Sequence, residues 1–222
     1  MFRWRENRLL KKALALYAGE HVLKHVLAQG EDALTTDGST RDLTVMFIDL
    51  AAFTEVSEAL PPEHLRGLMT SWFEVLTTGI AKHRGTVDTY IGDAVSAWWG
   101  AEGEKDHPRL AVTCARNLVE ELARLNETSR TKQWPELKLC IGIATGPVRL
   151  GTYGSSKRLR YSMLGDTVNL ASRLCGRAAG AEKHSILMSE TTQQRLEGCI
   201  PTTLVDTVMV KGCDEPLRLY AA

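Results

Sequence analysis

The stretch from residue 86 to residue 99 constrains the fold most, because it holds two β-rich runs with almost nothing between them. The runs are Thr86–Ile91 and Ala94–Trp99, and only Gly92 and Asp93 separate them. A two-residue Gly-Asp connection joins strands that pair antiparallel as a hairpin. The sequence therefore predicts two adjacent antiparallel strands with Asp93 on the turn.

Apolar periodicity predicts a helix on each side of this hairpin. From Leu65 onward the apolar residues fall on one face of a helix that begins near Pro61 and ends before Gly85. A second helix is predicted over about residues 107–126, and a strand near 137–143. Residues 43–48 are apolar and rich in β-formers, which is typical of a strand covered on both faces.

The resulting order, β-α-β-β-α-β, predicts a ferredoxin-like α+β sandwich. The glycine-rich residues 142–154 are expected to form turns, and a third helix is expected from about residue 166. Additional C-terminal strands are predicted at three apolar runs around a short helix near residues 190–196: residues 186–188, 204–210 and 217–220.

The N-terminal residues form a separate segment in this interpretation. Residues 3–28 follow a rough helical repeat that Gly19 interrupts, and residues 30–41 are turn-rich with no apolar cluster. We therefore predict a helical segment and linker over residues 1–41 and one main domain over residues 42–222.

Composition excludes several classes of protein. The chain has 27 Lys and Arg residues and 27 Asp and Glu residues, so its formal net charge is zero. No overall positive charge therefore favours binding of nucleic acid. No apolar run approaches the roughly 18 residues of a membrane span. The five cysteines contain no Cys-x-x-Cys pair, which is typical of reduced thiols in a cytoplasmic protein.

Two aspartates are the strongest candidates for chemistry. Asp49 ends the apolar strand, and Asp93 lies on the hairpin turn. Carboxylates presented from adjacent strand ends can hold two divalent metal ions, and hard oxygen ligands suit Mg²⁺ or Mn²⁺. The backbone from residue 50 to residue 54, entering a helix, can offer N–H groups to phosphate oxygens. Taken singly, Asp49 also fits a helix cap and Asp93 an ordinary turn residue.

A polar pair opens the third predicted helix. Asn169 and Arg173 are four residues apart and therefore lie on one helix face. An amide and a guanidinium can hold a ribose and a triphosphate, because the planar guanidinium matches phosphate oxygens. Spacing alone favours an exposed polar face with an ordinary cap, and only the other motifs favour the functional interpretation.

Four separated segments together resemble the catalytic domain of class III nucleotidyl cyclases over roughly residues 42–221. They match, in order, that family's two metal motifs, its transition-state helix and its C-terminal phosphate-lysine hairpin: residues 47–54, 85–95, 161–173 and 210–220. Residues before position 42 resemble the short helical segment that often precedes this domain. The resemblance implies conversion of a ribonucleoside triphosphate to its 3′,5′-cyclic monophosphate and pyrophosphate.

The resemblance also implies a role for individual residues. Asn169 is expected to orient the ribose, and Arg173 to stabilise the transition state. Two Mg²⁺ or Mn²⁺ ions per active site are expected at the metal-binding positions Asp49, Leu50 and Asp93. The triphosphate is expected to contact Ala52, Phe53, Thr54 and Lys211.

The implied assembly is a head-to-tail homodimer with two active sites at the interface. One subunit would supply the aspartates and the other Asn169 and Arg173. Ala52 stands where the family usually has Gly. This departure changes the phosphate loop without removing its N–H donors.

The base-binding positions depart from both purine patterns. Adenylate cyclases usually have Lys at the position of Thr89 and Asp or Thr at the position of Ser162, while guanylate cyclases have Glu and Cys. Thr is too short to replace Lys as a donor to an adenine ring nitrogen. Phe47 lies two residues before Asp49 on the same strand face and is a candidate wall of the base pocket or a core aromatic.

A free-standing cyclase with these substitutions resembles the bacterial antiphage Pycsar cyclases. Those enzymes make cyclic UMP or cyclic CMP, which a separate effector protein senses. UTP is the favoured substrate here, ahead of CTP. The alternatives are an adenylate cyclase with unusual base-reading residues and a catalytically inactive regulatory homologue, although the two aspartates and Arg173 are all present.

Overall fold

The computed structural model describes residues 2–35, 37–132, 134–181, 185–209 and 216–222. Among them it contains seven α-helices, a short 3-10 helix (Gly30–Leu34) and an eight-stranded sheet. The helices are α1 (Phe2–Ala18), α2 (Glu20–Gln29), α3 (Phe53–Ala59), α4 (Pro62–Lys82), α5 (His107–Thr131), α6 (Asp166–Ala179) and α7 (Glu190–Gln194). The strands are β1 (Gly38–Ala51), β2 (Thr86–Ile91), β3 (Ala94–Trp99), β4 (Lys138–Ser155), β5 (Arg158–Leu164), β6 (Ile186–Ser189), β7 (Thr203–Val208) and β8 (Leu217–Ala221).

The chain packs as two compact units. The smaller unit combines the residues through Arg41 with residues 149–164, and the larger contains residues 42–148 and those from 165 onward. Within the smaller unit, Gly19 has a φ of 99° and separates α1 from α2, as predicted. The second half of β4 pairs with β5 there as an antiparallel hairpin.

The order of elements confirms the predicted α+β fold. Around β1 the sheet runs β2-β3-β1-β4-β6-β8-β7, and β5 pairs with β4. β1 pairs antiparallel with β3 from Thr44 opposite Trp99 to Ile48 opposite Val95. The predicted hairpin of β2 and β3 forms as expected, with Gly92 at a φ of 66°.

The two faces of the sheet bury different clusters. Met46, Ile48 and Leu50 of β1 join the main apolar core with α4 and α5. Side chains alternate along a strand, so the intervening Phe47 faces the other side. Phe47 and Ala51 pack there against a second cluster that includes α6 residues such as Leu174.

A chain of buried polar groups contacts the middle of β1 at Thr44. His107 Nδ1 lies 2.8 Å from the Thr44 hydroxyl, which lies 2.8 Å from the Thr145 hydroxyl of β4. Thr145 in turn lies 2.9 Å from the hydroxyl of Thr192 on α7. Burial lowers the pKa of His107, which favours its neutral form. These side-chain hydrogen bonds connect β1, β4, α5 and α7.

The expected turns over residues 142–154 are wrong, since β4 continues through this stretch to Ser155. The glycines of β4 allow the backbone of other segments to lie close to the strand, and they do not reverse the direction of the chain. A Cβ on Gly142 would lie 2.1 Å from the carbonyl oxygen of Ala171, and one on Gly151 would lie 2.1 Å from that of Asp37. β1 likewise begins earlier than predicted, at Gly38, and α5 extends to Thr131.

Within the described residues, every helix falls short of the length and apolar character that a bilayer-crossing segment requires.

Two glycine substitutions test how α6 packs on the sheet. Gly142→Ala should lower the free energy of unfolding by about 3 kcal/mol, because its Cβ meets helix backbone that cannot rotate away. Gly176→Ala should raise it by about 0.5–1 kcal/mol, because this α6 position has open space around a Cβ. Urea denaturation of both variants beside the unsubstituted protein measures the difference. Equal stability of Gly142→Ala and the unsubstituted protein would contradict this packing.

Candidate active site

The pairing of β1 with β3 brings Asp49 and Asp93 together. Ile48 of β1 lies opposite Val95 of β3. Asp49 is the next residue along β1, and Asp93 lies two residues before Val95, on the turn between β2 and β3. The indole Nε1 of Trp72 on α4 donates a hydrogen bond to the Asp93 carbonyl oxygen at 3.2 Å. Helix α4 therefore anchors the turn that carries Asp93.

The two carboxyl groups interact strongly. Burial, together with a hydrogen bond and charge repulsion from Asp93, raises the pKa of Asp49 to about 6. The backbone N–H of Leu50 donates to Asp49 Oδ1 at 2.9 Å and opposes this rise. Half-buried carboxylates held close together are stabilised by a neighbouring positive charge.

This donor set fits divalent cations. Mg²⁺ and Mn²⁺ prefer oxygen ligands, and Mg²⁺ usually binds through one or two carboxylates while retaining water and substrate oxygens. In the described part of the chain, no group of three or more His, Cys, Asp or Glu side chains is placed to hold a metal. Two carboxylates leave other coordination positions, which backbone carbonyls, water or substrate oxygens can fill.

The candidate phosphate loop follows β1 directly. Ala52 is the N-cap of α3 and has φ 56° and ψ 31°, the left-handed conformation that favours glycine. Its carbonyl oxygen accepts hydrogen bonds from the N–H groups of Glu55 and Val56. The N–H groups of Phe53 and Thr54 belong to the first helical turn, whose donors lack intrahelical partners. Lys211, the fourth predicted triphosphate ligand, lies outside the described residues.

Helix α6 carries Asn169 and Arg173 as predicted. Both residues are exposed, whereas Ala171 and Leu174 are buried. The Thr167 hydroxyl donates to the carbonyl oxygen of Pro147 at 2.9 Å and fixes the start of the helix. Asn169 and Arg173 therefore project outward, away from the cluster that α6 packs on the sheet.

The three predicted base-binding residues lie on different strands. Phe47 of β1 and Thr89 of β2 both pair with Ser96 of β3, so they lie in one row across the sheet. Phe47 also packs against the α6 cluster, in keeping with its alternative interpretation as a core aromatic. Ser162 is buried in the smaller unit and pairs with Gly151.

The sequence interpretation missed Asp88. Its carboxylate accepts a hydrogen bond from the buried Ser96 hydroxyl at 3.0 Å, beside Thr89. The sequence signal that could have drawn attention to Asp88 is an acidic residue in the middle of a β-rich run.

The paired aspartates, the loop after β1 and the α6 polar pair all lie within one segment that matches a known family. Residues 36–221 match the adenylate and guanylate cyclase catalytic domain. The chain belongs to this family. Among solved structures, the adenylyl cyclase CyaB from P. aeruginosa is 29% identical with a TM-score of 0.77, covering 83% of this chain and 95% of that one. The guanylyl cyclase Cya2 is 29% identical with a TM-score of 0.76, covering 83% and 92%.

Curated relatives of this cyclase domain are longer proteins. Adenylate cyclase 1 of Rhizobium meliloti is 32% identical over 181 residues, which are 81% of this chain and 27% of that protein. The uncharacterized protein Rv1320c of Mycobacterium tuberculosis is 31% identical over 204 residues, which are 90% of this chain and 35% of that protein. The chain thus spans about a third of the length of the relatives it matches.

The conformation of Ala52 can be tested by a pair of alanine-to-glycine substitutions. Ala52→Gly should raise the free energy of unfolding by about 1 kcal/mol, because it removes the Cβ penalty of the left-handed region. Ala123→Gly, at an exposed position within α5, should lower it by about 1 kcal/mol. Thermal denaturation measures both changes. A similar loss of stability in the two variants would contradict the left-handed conformation of Ala52.

Proposed function

We propose that this cyclase domain converts a ribonucleoside triphosphate to its 3′,5′-cyclic monophosphate and pyrophosphate. The observation that carries the proposal is the close pair of Asp49 and Asp93, whose proximity contributes to raising the pKa of Asp49 to about 6. Such a pair needs positive charge nearby, and the family to which the chain belongs is named for cyclisation of nucleotides.

Each residue has a defined task in this mechanism. Asp49, Asp93 and the Leu50 carbonyl would hold two Mg²⁺ or Mn²⁺ ions, which when bound lower the pKa of the ribose 3′-hydroxyl. The 3′-oxygen attacks the α-phosphorus, and the bond from this phosphorus to the oxygen bridging to the β-phosphate breaks. The hydroxyl proton is lost to solvent, and the released electron pair leaves with pyrophosphate.

Other groups bind and orient the substrate. The backbone N–H groups of residues 52–54 and the Lys211 ammonium bind triphosphate oxygens. Asn169 orients the ribose, and the Arg173 guanidinium stabilises the negative charge that accumulates as the bond to pyrophosphate breaks.

We further propose that the active site is shared between two subunits of a head-to-tail homodimer. The exposure of Asn169 and Arg173 on α6 supports this proposal, because exposed side chains are accessible to a second copy of the chain. The proposed domain organisation remains a helical segment and linker over residues 1–41 and the catalytic domain over residues 42–222. A cytoplasmic location is part of the same proposal.

Mixing two inactive variants tests the metal pair and the shared site together. Asp93→Ala and Arg173→Ala should each lose about 100-fold or more in turnover, because each removes charge stabilisation from the transition state. A mixture of the two should recover about a quarter of the full activity, since half of the dimers are mixed and each mixed dimer keeps one intact site.

The controls are subunit exchange, shown by differently tagged chains, and assays with Mg²⁺ and Mn²⁺. High activity of Asp93→Ala alone would overturn the metal assignment. Failure of the exchanged mixture to recover would overturn the shared site.

For the base we propose uracil, and therefore cyclic UMP as the product. Thr89 and Ser162 carry short hydroxyl groups that donate to carbonyl oxygens, and Phe47 provides an aromatic wall. By analogy with the Pycsar cyclases, the product would act in antiphage defence through a separate cyclic-nucleotide-responsive effector. Identity to Adenylate cyclase 1 of Rhizobium meliloti favours the alternative substrate, ATP.

Assays with the four ribonucleotides and Mn²⁺ decide between these substrates. UTP should give the highest kcat/KM, and Thr89→Lys should shift the ratio of UTP to ATP toward ATP by about 5–150-fold, because Lys supplies the missing donor to adenine. Separation of the products by chromatography measures each rate. Production of cyclic AMP at least about tenfold more efficiently than either pyrimidine product would restore the adenylate cyclase interpretation.

A further inference from the structure

Helix α1 exposes a group of large apolar side chains to solvent. The structure describes the side chains of this helix from Asn7 onward. Exposed apolar side chains on a folded protein are usually scattered singly, whereas a contiguous group marks an interaction site. We call the four exposed residues of this group the α1 face: Leu9 (68% exposed), Leu10 (65%), Leu16 (74%) and Tyr17 (93%).

Helical spacing separates the α1 face from the charged side chains. At about 100° per residue, the α1 face together with Ala13 and Leu14 covers an arc of about 160° around the helix. Arg8, Lys11 and Lys12 are all exposed and lie within about 100° of one another on the remaining side. The described part of α1 is therefore an amphipathic helix with one apolar side and one basic side.

The charge on this part of the chain has a single sign. From Asn7 to Gly19 the sequence contains Arg8, Lys11 and Lys12 but no Asp or Glu. A basic side next to an apolar side is typical of helices that lie in the plane of an anionic membrane, because the apolar side enters the acyl boundary while the cations meet lipid phosphates. Tyr17 fits this position too, since an aromatic ring with a polar tip favours the headgroup level.

A second copy of α1 fits this surface less well. Helices that pair in a coiled coil use a narrow apolar stripe, and flanking charges of both signs form ion pairs between the helices. The apolar arc of α1 is wide, and residues 7–19 supply no acidic side chain to pair with the basic ones of another copy. Charge complementarity therefore favours an anionic surface over a second α1.

We propose that α1 binds the surface of a membrane that contains anionic lipids. The α1 face enters the boundary between headgroups and acyl chains, and Arg8, Lys11 and Lys12 contact lipid phosphates. A lipid surface, rather than a free phosphate, is the partner because only the lipid surface also covers the apolar side chains. This inference does not depend on the proposed cyclase reaction.

Co-sedimentation of the full chain with vesicles tests the proposal. The probes are vesicles of phosphatidylcholine alone and vesicles in which phosphatidylglycerol replaces about a third of it. The unsubstituted protein should bind the anionic vesicles about 100-fold more strongly at about 0.1 M NaCl, because each of three basic side chains contributes about fivefold near an anionic surface. Raising NaCl to about 0.5 M should remove most of this difference, since salt screens the attraction.

Two double variants separate the basic side from the apolar side. Lys11→Gln combined with Lys12→Gln should weaken binding to anionic vesicles about 30-fold. Leu9→Gln combined with Leu16→Gln should weaken it at least about tenfold, because the gain from burying two apolar side chains is lost. Glutamine has a high helix propensity, so both variants should keep α1 helical, which circular dichroism checks.

Matched controls carry the same kinds of change on other elements. Lys82→Gln combined with Arg116→Gln removes two positive charges from exposed positions on α4 and α5. Leu204→Gln removes an apolar side chain that is 52% exposed on β7. Both controls should bind anionic vesicles as the unsubstituted protein does.

Three results in these assays would overturn membrane binding by α1. They are no binding of the unsubstituted protein, equal binding to the two kinds of vesicle, and full binding by the variant at Lys11 and Lys12. Light scattering after gel filtration tests the other occupant. A change from dimer to monomer in the variant at Leu9 and Leu16, without vesicle binding by the unsubstituted protein, would assign the α1 face to a second copy and overturn the proposal.

Discussion

The site depends on holding two carboxyl groups close together against their mutual repulsion. Asp49 lies on β1 and Asp93 lies on the turn between β2 and β3; burial, together with the neighbouring Asp93, raises the pKa of Asp49 to about 6. Several contacts elsewhere in the fold hold the two carboxyl groups in place despite this repulsion. Pairing of β1 with β3 sets the spacing, and Trp72 anchors the turn through the carbonyl of Asp93. The apolar core beneath β1 therefore stabilises an arrangement of two carboxyl groups that is electrostatically unfavourable by itself. If the proposed cations bind there, they stabilise the folded domain as well.

Local sequence signals predicted the parts of the fold that depend on local forces. The Gly92-Asp93 turn predicted the hairpin, and the apolar stripe from Leu65 predicted α4. The expected turns over residues 142–154 were wrong because a glycine signals either a turn or a close approach. At Gly142 the deciding contact is with Ala171 of α6, 29 residues further along the chain. Only the packed structure contains that information.

The same dependence on contacts between distant residues explains which candidate site residues the sequence predicted. In the sequence, Asp49 follows an apolar run and Asp93 lies on a tight turn, where a carboxylate is conspicuous; β1 continues to Ala51, and its pairing with β3 brings the two aspartates together. Asn169 and Arg173 follow helical spacing, and both lie on the exposed side of α6. The direction of Asp88 depends on a β-bulge in β2, where Val87 lies opposite Ala97 and Thr89 opposite Ser96. A bulge is a property of two paired strands rather than of one sequence run. Read as a regular strand, residues 87–90 would place Asp88 and Thr89 on opposite faces.

The residues proposed for the reaction and those proposed for base recognition occupy different kinds of position on this sheet. Asp49 lies near the end of β1 and Asp93 lies on a tight turn, where backbone geometry leaves little freedom. The proposed base-binding residues Phe47 and Thr89 lie within strands, where the ladder of backbone hydrogen bonds is independent of side-chain identity. In the proposed site, a change at Thr89 therefore alters which groups meet the base without moving Asp49 relative to Asp93. On this proposal, substitutions within β2 change the hydrogen-bonding pattern that the base meets, while the register of β1 and β3 keeps the two aspartates in place.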